Sequence, residues 1–162
     1  MYMELSRKAL QVNSSLTLEI DAKAKKMKED GFDVVGFGAG EPDFDTPDVI
    51  IDAAKKALDN HCTRYTPVGG ILELRQAICE KLETDNGLEY SPDQILVSNG
   101  AKHSIYNACQ AILNPGDEVI IPSPYWLSYP EMVTLAGGKS IFLSTREENG
   151  FTIDIDELKK CI

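Results

Sequence analysis

Between residues 95 and 143, two kinds of segment alternate along the chain: short apolar runs and longer amphipathic runs with helical spacing. The apolar runs are 95–98, 119–121 and 140–143. Each amphipathic run between them ends at a turn rich in Gly, Pro or Asn. Strands joined by helices pair in parallel, because the helix carries the chain back across the sheet. The sequence therefore predicts an α/β fold with a doubly wound parallel sheet, of which three strands are present.

Amphipathic spacing predicts three helices before this region, over 15–30, 47–60 and 71–86. Gly31 and Gly87 are placed to end the first and the third of them. Thr46 is expected to cap the second helix, with Pro47 at its first position, where a missing N–H costs nothing. The Gly- and Pro-containing segments 38–45 and 61–70 are predicted loops. Asp154, three residues before Glu157, is expected to begin a last helix.

Charge excludes several classes of partner. The chain has 16 basic and 26 acidic residues and a net charge of −10, which repels nucleic acid and anionic lipid. No run approaches the roughly 18 apolar residues of a membrane span. The opening segment MYMELSRKAL is too polar for a signal peptide, so a cytoplasmic protein is expected.

The cysteines and histidines indicate no metal site. Four cysteines, Cys62, Cys79, Cys109 and Cys161, are widely spaced without a C-x-x-C pair, and only two histidines are present. This spacing matches neither a disulfide framework nor a zinc site. Reduced, buried thiols are expected.

The segment Ser98-Asn99-Gly100-Ala101-Lys102 joins a predicted strand to a predicted helix. Small residues at that position let backbone N–H groups approach an anion, so the turn is a candidate phosphate cradle. A plain structural turn is an equal alternative from this feature alone. The spacing is not that of a P-loop, and residues 36–40 do not match G-x-G-x-x-G, so a nucleotide site is disfavoured.

Three further residues each have two interpretations. Trp126, the only tryptophan, follows a predicted strand at the sheet edge where α/β proteins bind ligands, but it would equally fill a core. Gly40 offers a bare backbone N–H to a carboxylate or merely makes a turn. Tyr65 presents its phenol to a phosphate or packs its own loop. His103 is expected to pack or cap rather than catalyse, since it has no nucleophile partner at a recognisable spacing.

Read together, four segments resemble the class I and II pyridoxal-phosphate-dependent aminotransferases of the aspartate aminotransferase fold, fold type I. They are GAGEPDFDTP at 38–47, RYTPVGGILELRQAI at 64–78, ILVSNGAKHSIYNA at 95–108 and NPGDEVIIPSPYWLSYPEMV at 114–133. The resemblance implies an incomplete three-layer α/β/α large domain, preceded by part of a small domain. Residues 1–46 would form the arm and the small-domain part, and 47–162 the first part of the large domain.

The resemblance also implies the ligands. Gly100, Ala101 and Lys102 would hold the phosphate of pyridoxal 5′-phosphate, Trp126 would stack on its ring, and Tyr65 would reach a neighbouring subunit's phosphate in a homodimer. The predicted substrate-binding residues are Gly40, Trp126, Ser15, Thr17 and Lys102. Asn13 stands where members with added prephenate activity carry a lysine, which favours aspartate.

The same resemblance also implies which catalytic residues of the family are missing from this sequence. The Schiff-base lysine, the pyridine-pairing aspartate and the carboxylate-clamping arginine all lie later in the family's sequence, and their motifs do not occur here. We therefore expect an N-terminal fragment of an aspartate aminotransferase of amino-acid metabolism, which moves the amino group of L-aspartate to 2-oxoglutarate. The chain alone has no catalytic residue and is expected to be inactive.

Alternatives remain at this stage. The parent scaffold could serve another reaction, such as a C–S lyase or a decarboxylase. The chain could also be a non-catalytic module that binds the cofactor or associates with a subunit. A regulator fused to a DNA reader is disfavoured by the acidic charge and by the absence of a helix-turn-helix pattern.

Overall fold

Seven α-helices and two β-strands make up the described part of this computed structural model, residues 4–38 and 40–162. In chain order they are α1 (Arg7–Leu10), α2 (Leu16–Glu29), α3 (Asp48–Asp59), α4 (Leu72–Asn86), α5 (Ala101–Ile112), β1 (Glu118–Ser123), α6 (Ser128–Ala136), β2 (Lys139–Ser144) and α7 (Ile155–Lys160). Short 3-10 turns lie at Pro92–Gln94 and Glu147–Asn149. No described helix has both the length and the apolar character needed to cross a bilayer.

The described residues form two units. One unit contains the residues up to Ser15 together with those from Ser98 onward, and the other runs from Leu16 to Val97. The first unit holds α1, α5, α6, α7 and both strands, and the second holds α2, α3 and α4.

The core of the first unit lies between the sheet and α6. β1 and β2 pair in parallel, with Ile120 opposite Ile141 and Ile121 opposite Phe142. α6 connects the two strands and packs on both of them, while α5 packs on α6. Within residues 4–38 and 40–162, the buried side chains come from the strands and α6: Ile121, Met132, Val133, Ala136 and Leu143. The predicted β-helix-β alternation is thus confirmed for this pair of strands.

Two consecutive glycines close the crossover. Gly137 ends α6 with φ +87°, a left-handed conformation that glycine adopts without strain. A side chain on Gly138 would lie 3.0 Å from Val133 Cγ1 and 3.1 Å from the Asp117 carbonyl oxygen. The missing side chains therefore allow α6 to turn directly into β2 while remaining close to the start of β1.

The second unit is helical and has no buried residue among those described. Its helices end where the glycines predict: the amide of Gly31 bonds to Lys28 O, and α4 ends at Gly87, whose φ is +65°. A loop-to-loop contact closes the unit, since Val97 N donates to Gly69 O at 3.0 Å. A Cβ on Gly70 would approach Val97 Cγ2 to 2.6 Å, so only glycine fits this close approach.

The predicted strand at 95–98 is wrong. Residues 95–98 have no strand structure, so the sheet has two strands rather than three. A strand is defined by ladder bonds to a neighbour. The apolar sequence of 95–98 is typical of a buried strand. Among the described residues, however, neither β1 nor β2 forms ladder hydrogen bonds with it.

Two further predictions need correction. α3 begins at Asp48, and Pro47 is its N-cap, because Pro47 keeps an extended ψ of 138°; Thr46 therefore does not cap it. The thiols are free but not buried: Cys62 is exposed and the other three are half-buried. The buried region is confined to the sheet and α6, and the cysteines lie outside it. The predicted loop 38–45 lacks regular structure at its described residues, and Ala39 lies outside them.

The small core predicts a sharp contrast between two alanine variants. Leu143 is 2% exposed, so Leu143→Ala should lower the free energy of unfolding by about 2–4 kcal/mol through lost burial and a cavity. Ile112 is 72% exposed at the end of α5, so Ile112→Ala should cost less than about 0.5 kcal/mol. Urea unfolding followed by circular dichroism measures both. Equal losses in the two variants would show that the core is not where the structure places it.

Candidate functional site

The turn that precedes α5 depends on Gly100. Its backbone has φ +83° and ψ 164°, a region that is essentially confined to glycine. Gly100 N donates to Ser98 O at 2.9 Å, and Gly100 O accepts from His103 N and Ser104 N. This arrangement directs the first amides of α5 away from the preceding chain.

Two of those amides have no acceptor. No described residue accepts a hydrogen bond from the N–H of Ala101 or Lys102, which are the first two residues of the twelve-residue helix α5. Unpaired N–H groups and the helix dipole both favour an anion at this end of a helix. The turn therefore has the geometry of a candidate anion site.

His103 stabilises the other side of the turn. Its Nδ1 accepts a hydrogen bond from Asn99 N at 3.1 Å. This contact agrees with the capping interpretation of the sequence, and it leaves the amides of Ala101 and Lys102 as the available donors.

Trp126 lies beside this turn. The Lys102 ammonium nitrogen is 5.7 Å from the centroid of its ring, within the range of a cation–π contact, and the side chain is 51% exposed. An indole that is half exposed does not fill the core of this unit, and its ring is available to a ligand. Trp126 lies between the carboxyl end of β1 and the start of α6, the edge at which open α/β sheets bind ligands.

Neighbouring contacts hold the aromatic loop. Tyr125 stacks on Phe142 of β2 with ring centroids 5.2 Å apart. Trp126 O accepts from Tyr129 N at 3.0 Å, which ties the loop to the first turn of α6. Thr145 Oγ1 donates to Ser123 O at the end of β1. The indole is thus carried by a loop that is fixed at both of its ends.

A cavity of about 420 Å³ opens between α5 and α6. Its lining includes Lys102, His103, Ser128 and Glu131. The side chain of Lys102 therefore belongs both to the Trp126 contact and to this cavity. A cavity of this size is within the range that holds small-molecule ligands.

A polar contact joins the amino-terminal segment to α6, and no sequence pattern indicates it. Asn13 N donates to Glu131 Oε2 at 3.1 Å, and Asn13 Nδ2 donates to Glu131 Oε1 at 3.0 Å. The two residues are 118 positions apart, and neither lies in a local motif that would pair them. Only a fold that brings the amino-terminal segment to α6 reveals the contact.

The other predicted site residues divide between the two units. Ser15, half-buried, belongs to the unit that contains the turn and Trp126. Gly40, Thr17 and Tyr65 belong to the second unit. There, Gly40 has open space where a side chain would stand, Thr17 is half-buried in the first turn of α2, and Tyr65 is fully exposed. The structure thus brings together Gly100, Ala101, Lys102 and Trp126.

This arrangement suits a ligand with two chemically distinct parts. The amides of Ala101 and Lys102 would bind a phosphate or another compact anion. The exposed indole would bind a flat ring by stacking. A phosphorylated aromatic or heteroaromatic compound satisfies both requirements at once.

Comparison with known proteins agrees with this chemistry. The family described as "Aminotransferase class I and II" matches residues 33–162. The chain is 51% identical over 160 residues to an aspartate aminotransferase of Bacillus subtilis, covering 99% of this chain and 41% of the relative. It is 52% identical over 158 residues to an aspartate/prephenate aminotransferase of Cereibacter sphaeroides, covering 98% and 40%.

Solved structures show the same likeness. The aspartate aminotransferase from Thermus thermophilus with maleate matches with a TM-score of 0.94 at 45% identity, covering 99% of this chain and 42% of that one. The aspartate aminotransferase from Rhizobium meliloti gives 0.93 at 41% identity, covering 99% and 40%. The chain thus spans about two fifths of the length of the relatives that it matches.

The turn predicts a phosphate-binding difference between two glycine variants. Gly100→Ala strains a backbone at φ +83° and should weaken inorganic phosphate binding about tenfold, because the amides of Ala101 and Lys102 are re-aimed. Gly116→Ala introduces similar strain at φ +94°, beyond the other end of α5, and should leave phosphate binding unchanged. Titration followed by the ¹H–¹⁵N shifts of the two amides measures both affinities. Equal weakening in the two variants would contradict an anion site at this turn.

Proposed function

The chain belongs to the aminotransferase class I and II family, and from that membership we propose that it supplies the cofactor-phosphate and ring-binding part of a pyridoxal 5′-phosphate-dependent aspartate aminotransferase. The parent reaction transfers the amino group of L-aspartate to 2-oxoglutarate and yields oxaloacetate and L-glutamate. One observation carries the proposal: the Trp126 ring lies 5.7 Å from the ammonium of Lys102, beside a turn with two unpaired amides.

The turn fits the cofactor's phosphate. The two amides without acceptors, Ala101 N–H and Lys102 N–H, are donors for a group that carries close to two negative charges near neutral pH. Their position at the start of α5 adds the helix dipole, worth on the order of 1 kcal/mol. Gly100 keeps both donors in place, because its conformation is inaccessible to other residues without strain.

Trp126 orients the cofactor ring. Its half-exposed indole is available for stacking, and the contacts of its loop with Tyr129 and β2 hold the backbone that carries the indole. Stacking and phosphate binding together define the position of the cofactor ring and the edge of that ring that faces the substrate. When bound, pyridoxal phosphate supplies the electron sink that makes removal of a substrate's α-proton feasible.

The substrate residues follow from the same assignment. We assign the backbone of Gly40 to the substrate's α-carboxylate, and Ser15, Thr17 and the Lys102 side chain to its distal carboxylate. Lys102 is among the residues that line the cavity, and its ammonium lies against the Trp126 ring, so it supplies a positive charge beside the indole. The relatives named aspartate aminotransferases support an acidic substrate.

A homodimer is part of the proposal. Tyr65 is fully exposed in its unit, so its phenol is available to a second copy of the protein. We assign it to the phosphate of the neighbouring subunit, which means that each site would be shared. A cytoplasmic location is proposed along with this amino-acid chemistry.

The chain alone is proposed to bind without turning over. None of its lysines lies in the sequence context of the lysine that, in the family, holds the cofactor and moves the α-proton. Loss of that group removes the main chemical step rather than part of the affinity. The 162 residues are therefore expected to hold pyridoxal phosphate reversibly through the turn and the indole.

Tryptophan fluorescence tests this function directly. Trp126 is the only tryptophan, so all of the indole emission comes from the proposed ring site. Pyridoxal phosphate should quench it saturably, because ring and phosphate bind together. Pyridoxal, which lacks the phosphate, should bind at least about tenfold more weakly, and inorganic phosphate should compete. Equal quenching by both compounds would contradict the assignment of the turn.

The same samples show whether the binding is reversible. After dialysis, the fluorescence and the visible spectrum should return to those of the free chain, and no transamination of L-aspartate should be detected. Borohydride treatment should fix no cofactor to a specific lysine. A stable visible band that borohydride attaches to one lysine would overturn the proposed inactivity of the chain.

A further inference from the structure

Glu131 is fully engaged by one residue of the amino-terminal segment. Its two carboxylate oxygens accept from the backbone N–H and the side-chain amide of Asn13, at 3.1 and 3.0 Å. Hydrogen bonds to an ionised carboxylate are stronger than those between neutral groups. Glu131 is half-buried in the first turn of α6, so the anchor belongs to the rigid part of the unit.

The anchored segment leads directly to a predicted substrate residue. Ser15 follows Asn13 by two positions, so along the chain it lies no more than about 7 Å away. On the other side, α1 packs against α6. The Asn13–Glu131 pair therefore fixes the segment between α1 and Ser15 at its middle.

Glu131 also reaches the cavity that Lys102 lines. The anchor of the segment and the proposed ligand of the distal carboxylate thus share one cavity, of about 420 Å³. The wall of this cavity is almost entirely apolar, so the Glu131 carboxylate does not face into it. Its two bonds to Asn13 keep the carboxylate directed toward the segment.

From these contacts we propose that Glu131 is a positioning residue for substrate specificity: through Asn13 it sets the place of Ser15 and so the binding of the substrate's distal carboxylate. This inference rests on the proposed function, because that function assigns Ser15 to the substrate. Glu131 itself does not touch the substrate. Its effect on the binding of the distal carboxylate is separate from phosphate binding at the α5 turn.

A reciprocal exchange of charge tests the pair. Asn13→Asp sets two carboxylates against each other, whereas Glu131→Gln keeps two bonds once the Asn13 amide turns over, although both are then bonds between neutral groups. The double variant restores both bonds, since the introduced glutamine accepts from the backbone N–H at position 13 and donates to the introduced aspartate. Glu148→Gln is the matched control, because Glu148 is exposed in the turn after β2.

Amide exchange at position 13 and maleate affinity are measured by NMR on the 162-residue chain, with pyridoxal phosphate present for the maleate titration. Asn13→Asp should speed exchange and weaken maleate binding about tenfold, Glu131→Gln should have a smaller effect in the same direction, and the double variant should return both quantities to within about twofold of the unaltered chain. Inorganic phosphate affinity should not change in any variant. Failure of phosphate binding in the unaltered chain would instead contradict the proposed function.

Three results would overturn the positioning role. The first is unchanged maleate affinity in Asn13→Asp, the second is a double variant as weak as Asn13→Asp, and the third is the absence of maleate binding by an unaltered chain that does bind phosphate. The Glu148→Gln control should match the unaltered chain throughout. An equal loss in that control would attribute the effect to net charge and would also overturn the role.

Discussion

The backbone conformation of Gly100 is the constraint on which the candidate site depends. At φ +83° and ψ 164° the chain enters α5 with the amides of Ala101 and Lys102 unpaired, and no residue with a side chain adopts that conformation without strain. Unpaired amides in water cost little, and at the start of a helix they are favourable donors for an anion. Backbone geometry therefore determines which donors this turn offers.

The second requirement is a ring platform beside those amides, and the parallel crossover provides it. β1 and β2 lie side by side only because α6 turns back at Gly137 and fits closely at Gly138. The aromatic loop between β1 and α6 then carries Trp126 to within 5.7 Å of Lys102. The five buried residues all stabilise this crossover, so the small core of the unit and its candidate site depend on the same packing.

Features that act over a few neighbouring residues, such as glycines at helix ends, could be predicted from the sequence. Pairing between residues far apart in the chain could not. Gly31 and Gly87 end their helices as expected, because a left-handed residue acts within one turn of the chain. The segment 95–98 has the composition of a buried strand but forms no ladder, since a ladder needs a neighbour that composition does not specify. The turn before α5 could be located from sequence because it is a local motif. The exposure of Trp126 and the Asn13–Glu131 pair depend on distant residues, so only the structure reveals them.

The central claim is that the turn at Gly100 and the indole of Trp126 form one site in this chain. The most direct measurement is an NMR titration with pyridoxal phosphate that records two signals in the same complex: shifts of the Ala101 and Lys102 amides, and nuclear Overhauser contacts between the ligand ring protons and the indole. The account predicts that both appear and saturate at one common ligand concentration. Amide shifts that saturate without any contact between the ligand ring and the indole would contradict it.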